Sequence, residues 1–145
     1  MQHLAQLNIG KLLQPIDHPQ IADFVENLDR INHLAEQSKG FVWRLKDDSG
    51  NATSIQEFSD PLVILNLSVW ESVEDLKSFV YRTDHLNFYL RRSEWFQPHQ
   101  APHMALWWIP AGHIPTVAEA KERLDYLQKN GESEYAFTFR KILQP

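Results

Sequence analysis

The sequence predicts an α+β fold: a ferredoxin-like βαββαβ unit with an antiparallel sheet and an extra C-terminal helix. Three observations carry that expectation. Segments with two-residue apolar alternation and segments with three- and four-residue apolar steps follow one another as strand, helix, strand, strand, helix, strand, helix, the split βαβ order. Two of these strands, 62–70 and 103–109, carry large apolar groups on both sides, as interior strands with cover above and below must. No repeat, low-complexity run or linker divides the 145 residues, so 1–145 reads as one domain.

The first strand runs over 3–13, where Ala5, Leu7 and Ile9 alternate with Leu4, Gln6 and Asn8. Asp17 or His18 can cap the helix that follows, and Pro19 suits its first position. Ile21, Phe24, Val25, Leu28, Ile31, Leu34 and Ala35 fall at helical steps across 19–37, and Gly40 is placed to stop the helix. A second strand covers 41–46; 47–51 is turn chemistry, and 53–58 returns across it. On the strand 62–70, Val63, Leu65, Leu67 and Val69 line one face, and Leu62, Ile64, Asn66, Ser68 and Trp70 the other. Ser72 caps a helix striped by Val73, Leu76, Phe79 and Val80, and Asp84 can cap a second helical segment. On 103–109, Trp107 and Trp108 must point to opposite faces. Thr116 and Glu119 form a capping box for a last helix, striped by Val117, Ala120, Leu124 and Leu127 and ending near Gly131. Residues 135–139 form a short closing strand or an extended arm.

Composition excludes several classes. The net charge of −5, with both signs interspersed, gives no basic stripe for nucleic acid. The absence of cysteine excludes disulfides and thiolate chemistry and leaves only His and carboxylates for zinc. The N-terminal residues lack the basic and long apolar regions of a signal peptide, and no run approaches the ~18 apolar residues of a membrane span. The expected location is the cytoplasm, without membrane contact.

In this fold helices cover one sheet face. The second apolar face then needs a partner sheet, a ligand cavity or both, so a homodimer with packed sheets is expected. Asn66, Ser68 and Trp70 share a face, expected to be the one without helices. Two polar groups amid Leu62, Ile64 and Trp70 suit a small-molecule site; the plainer alternative is a buried Asn bonded to a neighbouring strand. His85, at the join of two helical segments beside Tyr81 and Arg82, suits a general base, a haem ligand, an anion contact or a structural helix start. Arg91 and Arg92 can meet a ligand carboxylate or phosphate. Alternatively Arg91 pairs with Glu94 at i,i+3 and Arg92 is solvated or stacked on an aromatic ring. Pro98 and Pro102 forbid the helix that would make His99 and His103 a metal pair, so no metal is expected; a meeting of His3 with His103 across strands stays open. Trp43, Trp95, Trp107 and Trp108 can line a cavity or fill a core. There is no phosphate loop, nucleophile elbow or paired-carboxylate signature.

A strand ending in Asn66-x-x-x-Trp70, a helix opening Glu-Ser-x-Glu-x-Leu, and His85 fifteen residues after the Trp resemble the antibiotic-biosynthesis-monooxygenase group of dimeric α+β barrels. Gly40-Phe-Val-Trp-Arg-Leu, Val-Trp-Glu-Ser, Phe79-Val-Tyr-Arg-x-x-His, Arg91-Arg-x-Glu-Trp-Phe and Leu106-Trp-Trp-Ile-Pro-Ala-Gly-His113 more closely resemble an uncharacterised bacterial family, a domain of unknown function, over nearly the whole chain. The resemblance implies a homodimeric barrel with a cavity between sheet and helices. It implies oxidation of polyketide-like phenols without metal or flavin, with Asn66 and Trp70 in the positions that hold substrate and oxygen. His85 matches a helix His of the group, and some members bind haem through a His. Arg44 is the one candidate on the early strands for the group's pocket arginine.

The expected function is cofactor-independent, monooxygenase-like oxidation of a small aromatic or polyketide-like substrate. Asn66 and His85 would be catalytic, with Ser68, Trp70, Trp43, Tyr81 and Arg92 binding substrate. Haem held by His85 is a variant. The alternative from another class is a non-catalytic small-molecule-binding or structural homodimer.

Overall fold

The computed structural model describes residues 1–46, 60–98 and 101–145. Four antiparallel strands, β1 (Gln2–Lys11), β2 (Phe41–Arg44), β3 (Val63–Trp70) and β4 (Met104–Pro110), form one sheet in the order β2-β3-β1-β4. Helix α1 (Ala22–Glu36) joins β1 to β2. Helix α2 (Val73–Arg82) and the short α3 (His85–Leu90) join β3 to β4, and α4 (Val117–Asn130) follows β4. This is the βαββαβ order with its extra helix. The turn expected at 47–51, the return strand at 53–58 and His99 lie outside the described residues.

Local chemistry sets the helix boundaries. His18 Nδ1 accepts from the Gln20 amide at 3.0 Å, Ser72 Oγ from the Asp75 amide at 3.1 Å, and Thr116 Oγ1 from the Glu119 amide at 3.0 Å. Two starts differ from expectation. The Glu119 carboxylate turns away from Thr116 toward His113 and Trp107, so the capping box is half made. The opening of α3 is capped by Thr83, whose hydroxyl accepts from the His85 amide at 3.2 Å. Asp84 is instead held by Arg30 of α1 at 2.8 Å. Gly40 ends the α1 connection at φ +81°, a conformation that only glycine adopts freely, and its carbonyl accepts from the Glu71 amide at 2.7 Å.

Three apolar clusters hold the layers. Helix α4 buries Ala120, Leu124 and Leu127 against Ala5, Leu7, Leu67, Val69, Trp107 and Ile109 of the sheet. On the opposite face, Leu4, Trp70 and Leu106 pack against Ala35 of α1 and Val73, Leu76 and Phe79 of α2. At the far end of that face, Leu12, Ile21 and Trp95 gather Phe24, Ile64, Phe88 and Phe96. Trp107 and Trp108 do point to opposite faces.

This arrangement corrects the expected facing. The face bearing Ser68 and Trp70 is the one that α1 and α2 cover. The face left for a partner sheet is closed by the chain's own α4. Strands that are apolar on both sides carry no sign of which side receives which helix, and the α4 stripe supplies the missing cover. The homodimer expectation therefore loses the uncovered face it rested on. The segment 135–139 is an arm rather than a full strand: Phe137 exchanges two backbone hydrogen bonds with Leu106, at 2.7 and 2.9 Å. Among the described residues, no helix is long and apolar enough to cross a membrane.

Candidate functional site

The covered face is built from side chains at alternate positions. β1 supplies Leu4, Gln6, Asn8 and Gly10; β3 supplies Ile64, Asn66, Ser68 and Trp70. The register sets Gln6 opposite Ser68 and Asn8 opposite Asn66 on the two inner strands. Four polar side chains thus form a block at the centre of the sheet, between the Trp70 cluster and the Trp95 cluster. Gln6 and Ser68 are only 6% and 5% exposed, whereas Asn8 and Asn66 are exposed.

Exposed residues in the middle of inner strands, on the helix side, mean that α1 does not seal the sheet. Its sequence explains this. Only Ala35 of α1 is buried. Phe24 packs with the Trp95 cluster and Ile31 with the Trp70 cluster, while half-buried Leu28 between them packs with neither. The stretch of that face between the two clusters is therefore left open, with amides at its centre and aromatic groups at both ends. At one end the Phe96 ring lies directly on Gly10. A Cβ there would sit 2.6 Å from the ring, so glycine is what lets the aromatic wall reach the floor.

Trp70 is sealed and hydrogen-bonded. Its Nε1 donates to Ser68 Oγ at 3.0 Å, and Ser68 Oγ donates to Gln6 Oε1 at 2.8 Å. The indole also stacks on Phe79, centroids 5.3 Å apart, and Phe79 lies 4.9 Å from the His85 ring. Ser68, Trp70 and His85 therefore belong to one continuous assembly, with Phe79 between the indole and the imidazole. His85 Nδ1 sits 3.2 Å from the Val80 carbonyl; with Nδ1 as donor, Nε2 carries the lone pair. Burial holds the imidazole below the ordinary histidine value, against an opposing pull from the Val80 carbonyl, so its neutral form is favoured.

Arg44 pairs with Ser68 across β2 and β3, and its guanidinium, 11% exposed, lies 3.4 Å from Glu36 of α1. Its register partner Ser68 puts it beside the amide block on the sheet. Neither Asn8 nor Asn66 has a side-chain hydrogen-bond partner among the described residues, so both amides are available to a ligand.

Other expected site residues lie elsewhere. Trp43 faces α4, on the opposite side of the sheet from Trp70: a register irregularity between Phe41 and Trp43 sets Phe41 opposite Trp70 but Trp43 opposite Val69. Tyr81 is on the outer side of α2 against Tyr89 and Phe139, because Phe79 takes the inner position. Arg92 donates to the Tyr89 carbonyl at 2.8 Å and lies 4.2 Å over that ring, while Arg91 pairs with Glu94 and Asp23 at 2.8 and 2.9 Å; both follow the ion-pair and stacking alternative. His3 is paired with Ile109 and the His103 carbonyl is bonded to Ile9, so the two histidines sit at opposite ends of the strand pair. Among the described residues no group of three His, Asp or Glu side chains could hold a metal. Gln6 and Asn8 are the site residues that sequence reasoning did not single out for binding. The signal was present, as polar side chains two apart on a strand with apolar neighbours.

A groove of about 620 Å³ runs between α1 and the α2–α3 join, lined by Asp29, Arg30, His33, Leu34, Gln37, Thr83 and Asp84. It does not include Asn66. Two of its polar lining residues, Arg30 and Asp84, are bridged to each other at 2.8 Å.

Comparison with solved structures agrees with this architecture. A conserved protein from Methanosarcina mazei superposes with a TM-score of 0.53 at 14% identity, covering 75% of this chain and 92% of its own. A protein of unknown function from Nitrosomonas europaea gives 0.52 at 14% identity, covering 80% and 97%. A "putative antibiotic biosynthesis monooxygenase", also from Nitrosomonas europaea, gives 0.50 at 8% identity, covering 79% and 94%. Likeness at such identities establishes the ferredoxin-like fold alone. No curated protein matches the sequence. The family model for a domain of unknown function, DUF3291, matches residues 3–145, nearly the whole chain, and the chain therefore belongs to that family.

Proposed function

We propose that the open stretch of the sheet face is a cleft that binds a small aromatic molecule and that the chain oxidises it in a monooxygenase-like reaction without a bound cofactor. The single observation that carries the reading is the pair Asn8 and Asn66, exposed and without side-chain partners among the described residues, at the centre of the sheet face. A few hydrogen-bonding groups left open between apolar clusters are the usual make-up of a small-molecule site. The Phe96 ring at one end suits a flat guest. The fold of the monooxygenase-named neighbour supports the choice of reaction.

In such a reaction a phenol or anthrone supplies the electrons and dioxygen is the oxidant. One oxygen atom enters as a ring carbonyl and the other leaves as water. Asn66 and Asn8 would hold the substrate oxygen. Trp70, whose indole N–H is already donated to Ser68, would shape the wall rather than touch the guest. Neutral His85 lies behind Phe79 and would support the aromatic wall rather than touch the guest. The amide block lies within one chain, so the reading needs no second copy.

The test is oxygen uptake and quinone formation with 1-naphthol and anthrone. Asn66→Ala and Asn8→Ala should each lower turnover at least tenfold while leaving the folded state intact. Turnover indifferent to both substitutions, or no binding of either compound, would sink the proposal. A second reading rests on His85: with Nδ1 donating to Val80, Nε2 would hold the iron of a haem, which would supply the oxidation chemistry. Absence of a Soret shift on adding haem to the purified protein rules that out.

A further inference from the structure

The amide of Gln6 is more constrained than its neighbours. Trp70 Nε1 donates to Ser68 Oγ, and Ser68 Oγ donates its own proton to Gln6 Oε1. The atom of Gln6 that meets that proton must be the oxygen. The hydrogen-bond chain thereby fixes which way the amide lies and leaves the NH2 group pointing away from Ser68. Among the described residues that nitrogen has no partner, yet it is not sealed from solvent. Its neighbours on the same face show where the open side is. Leu4, Leu106, Ser68 and Trp70 are buried, whereas Asn8 and Asn66 are exposed and Met104 is half-exposed. The donor belongs to a side chain that is 6% exposed and is next to the exposed Asn8 on the same strand face.

We infer that Gln6 is a fixed hydrogen-bond donor for the ligand and that the ligand carries an oxygen acceptor, a carbonyl or a phenolate, on a flat aromatic body. This deepens the proposed function and rests on the same cleft. The Trp70 → Ser68 → Gln6 chain does two things for that contact. It holds the amide in one orientation before the ligand arrives, so little ordering is left for binding. It also polarises the amide through successive donations, which strengthens the outward N–H. A site of this kind discriminates by presence of the acceptor: a guest of the same shape lacking the oxygen leaves a buried donor unpaired. Asn8 and Asn66 lack that tether and can turn to donate or accept, so they adapt to the rest of the guest.

The experiment uses an isosteric pair, 2-acetonaphthone and 2-ethylnaphthalene, which differ in one carbonyl oxygen. Titrations are followed in the whole chain by the side-chain amide signals in 1H–15N spectra. The expected result is that 2-acetonaphthone shifts the Gln6 NH2 signals along with those of Asn8 and Asn66 and binds at least tenfold more tightly than 2-ethylnaphthalene. Gln6→Met, which keeps length but has no donor, should remove that preference. If the Asn8 and Asn66 signals respond but the Gln6 signals do not, the inference about Gln6 is overturned and the cleft stands. If neither compound moves any of the three amides, both fall. The wild-type spectra decide the matter even if the Met variant does not fold.

Discussion

The two faces of one sheet have been put to opposite uses. Beneath α4, Ala5, Leu7, Leu67, Trp107 and Ile109 are all sealed, and the helix presses Ala120, Leu124 and Leu127 into them. Beneath α1, the equivalent central positions are Gln6, Asn8, Asn66 and Ser68, and the helix above buries only one residue. The strands are the same and the pleat supplies both faces equally. The difference comes from side chains at alternate positions along β1 and β3 and from how continuous the apolar stripe is on the helix above. The closed face supplies stability, and the other gives up some packing to keep amides open.

That contrast can be broken or sharpened by mutation. The largest effect belongs to the closed face. Trp107→Ala removes a fully buried indole and its bond to Glu119, and should cost about 3–5 kcal/mol in urea unfolding; a loss well under 1 kcal/mol would show that α4 does not hold that face. Next comes the buried link beneath the cleft. Ser68→Ala strands the Trp70 N–H and frees the Gln6 amide, for a loss of about 1–3 kcal/mol.

Two smaller effects depend on pH. Glu119 is pulled upward by burial, but bonds from His113 and Trp107 outweigh that and hold its carboxyl below the ordinary range. Its folded-state value lies below its unfolded one, so its contribution is complete above the ordinary glutamate value near about 4.3 and is lost as pH falls through the folded value. Glu119→Gln should flatten that acid limb. His85 is lowered too, by burial, so its contribution is complete above about 6.5 and declines as pH falls below it. The difference in stability between wild type and His85→Gln should shrink from pH 8 to pH 5; a difference that grows on acidification would mean that the imidazole is charged in the fold. The smallest effect on stability belongs to the open face. Asn66→Ala should change unfolding by no more than about 0.5 kcal/mol, because the side chain is exposed and unbonded. A destabilisation above that would show the amide to be structural rather than available.

Element order was legible because alternation and helical stepping are local properties: Ala5, Leu7 and Ile9 on a strand, or Ala120, Leu124 and Leu127 on a helix, announce themselves without tertiary context. The grouping of Asn66, Ser68 and Trp70 on one face was legible for the same reason. Which layer that face would meet was not, since alternation gives parity and not direction. Trp43 was misplaced because one irregularity in the β2 register moves a side chain to the other face. Tyr81 and Arg92 were misplaced because richness in aromatic and cationic groups also describes a stacked surface, as the Tyr81–Tyr89 and Arg92–Tyr89 contacts show. Gln6 gained its meaning only from the hydrogen-bond direction through Ser68, which no spacing reveals.

The strand order has a consequence in time. β1 is made first, yet its neighbours are β3 and β4, so the N-terminal strand waits for segments that end at Trp70 and Pro110. Pairings this distant in sequence are slow to form, because a long loop must close before any contact rewards it. During synthesis the apolar row Ala5, Leu7, Ile9 has no lasting cover until α4 emerges from the ribosome. The lid of the closed face is also translated after the strands it covers, so its arrival ends the period of greatest exposure to aggregation.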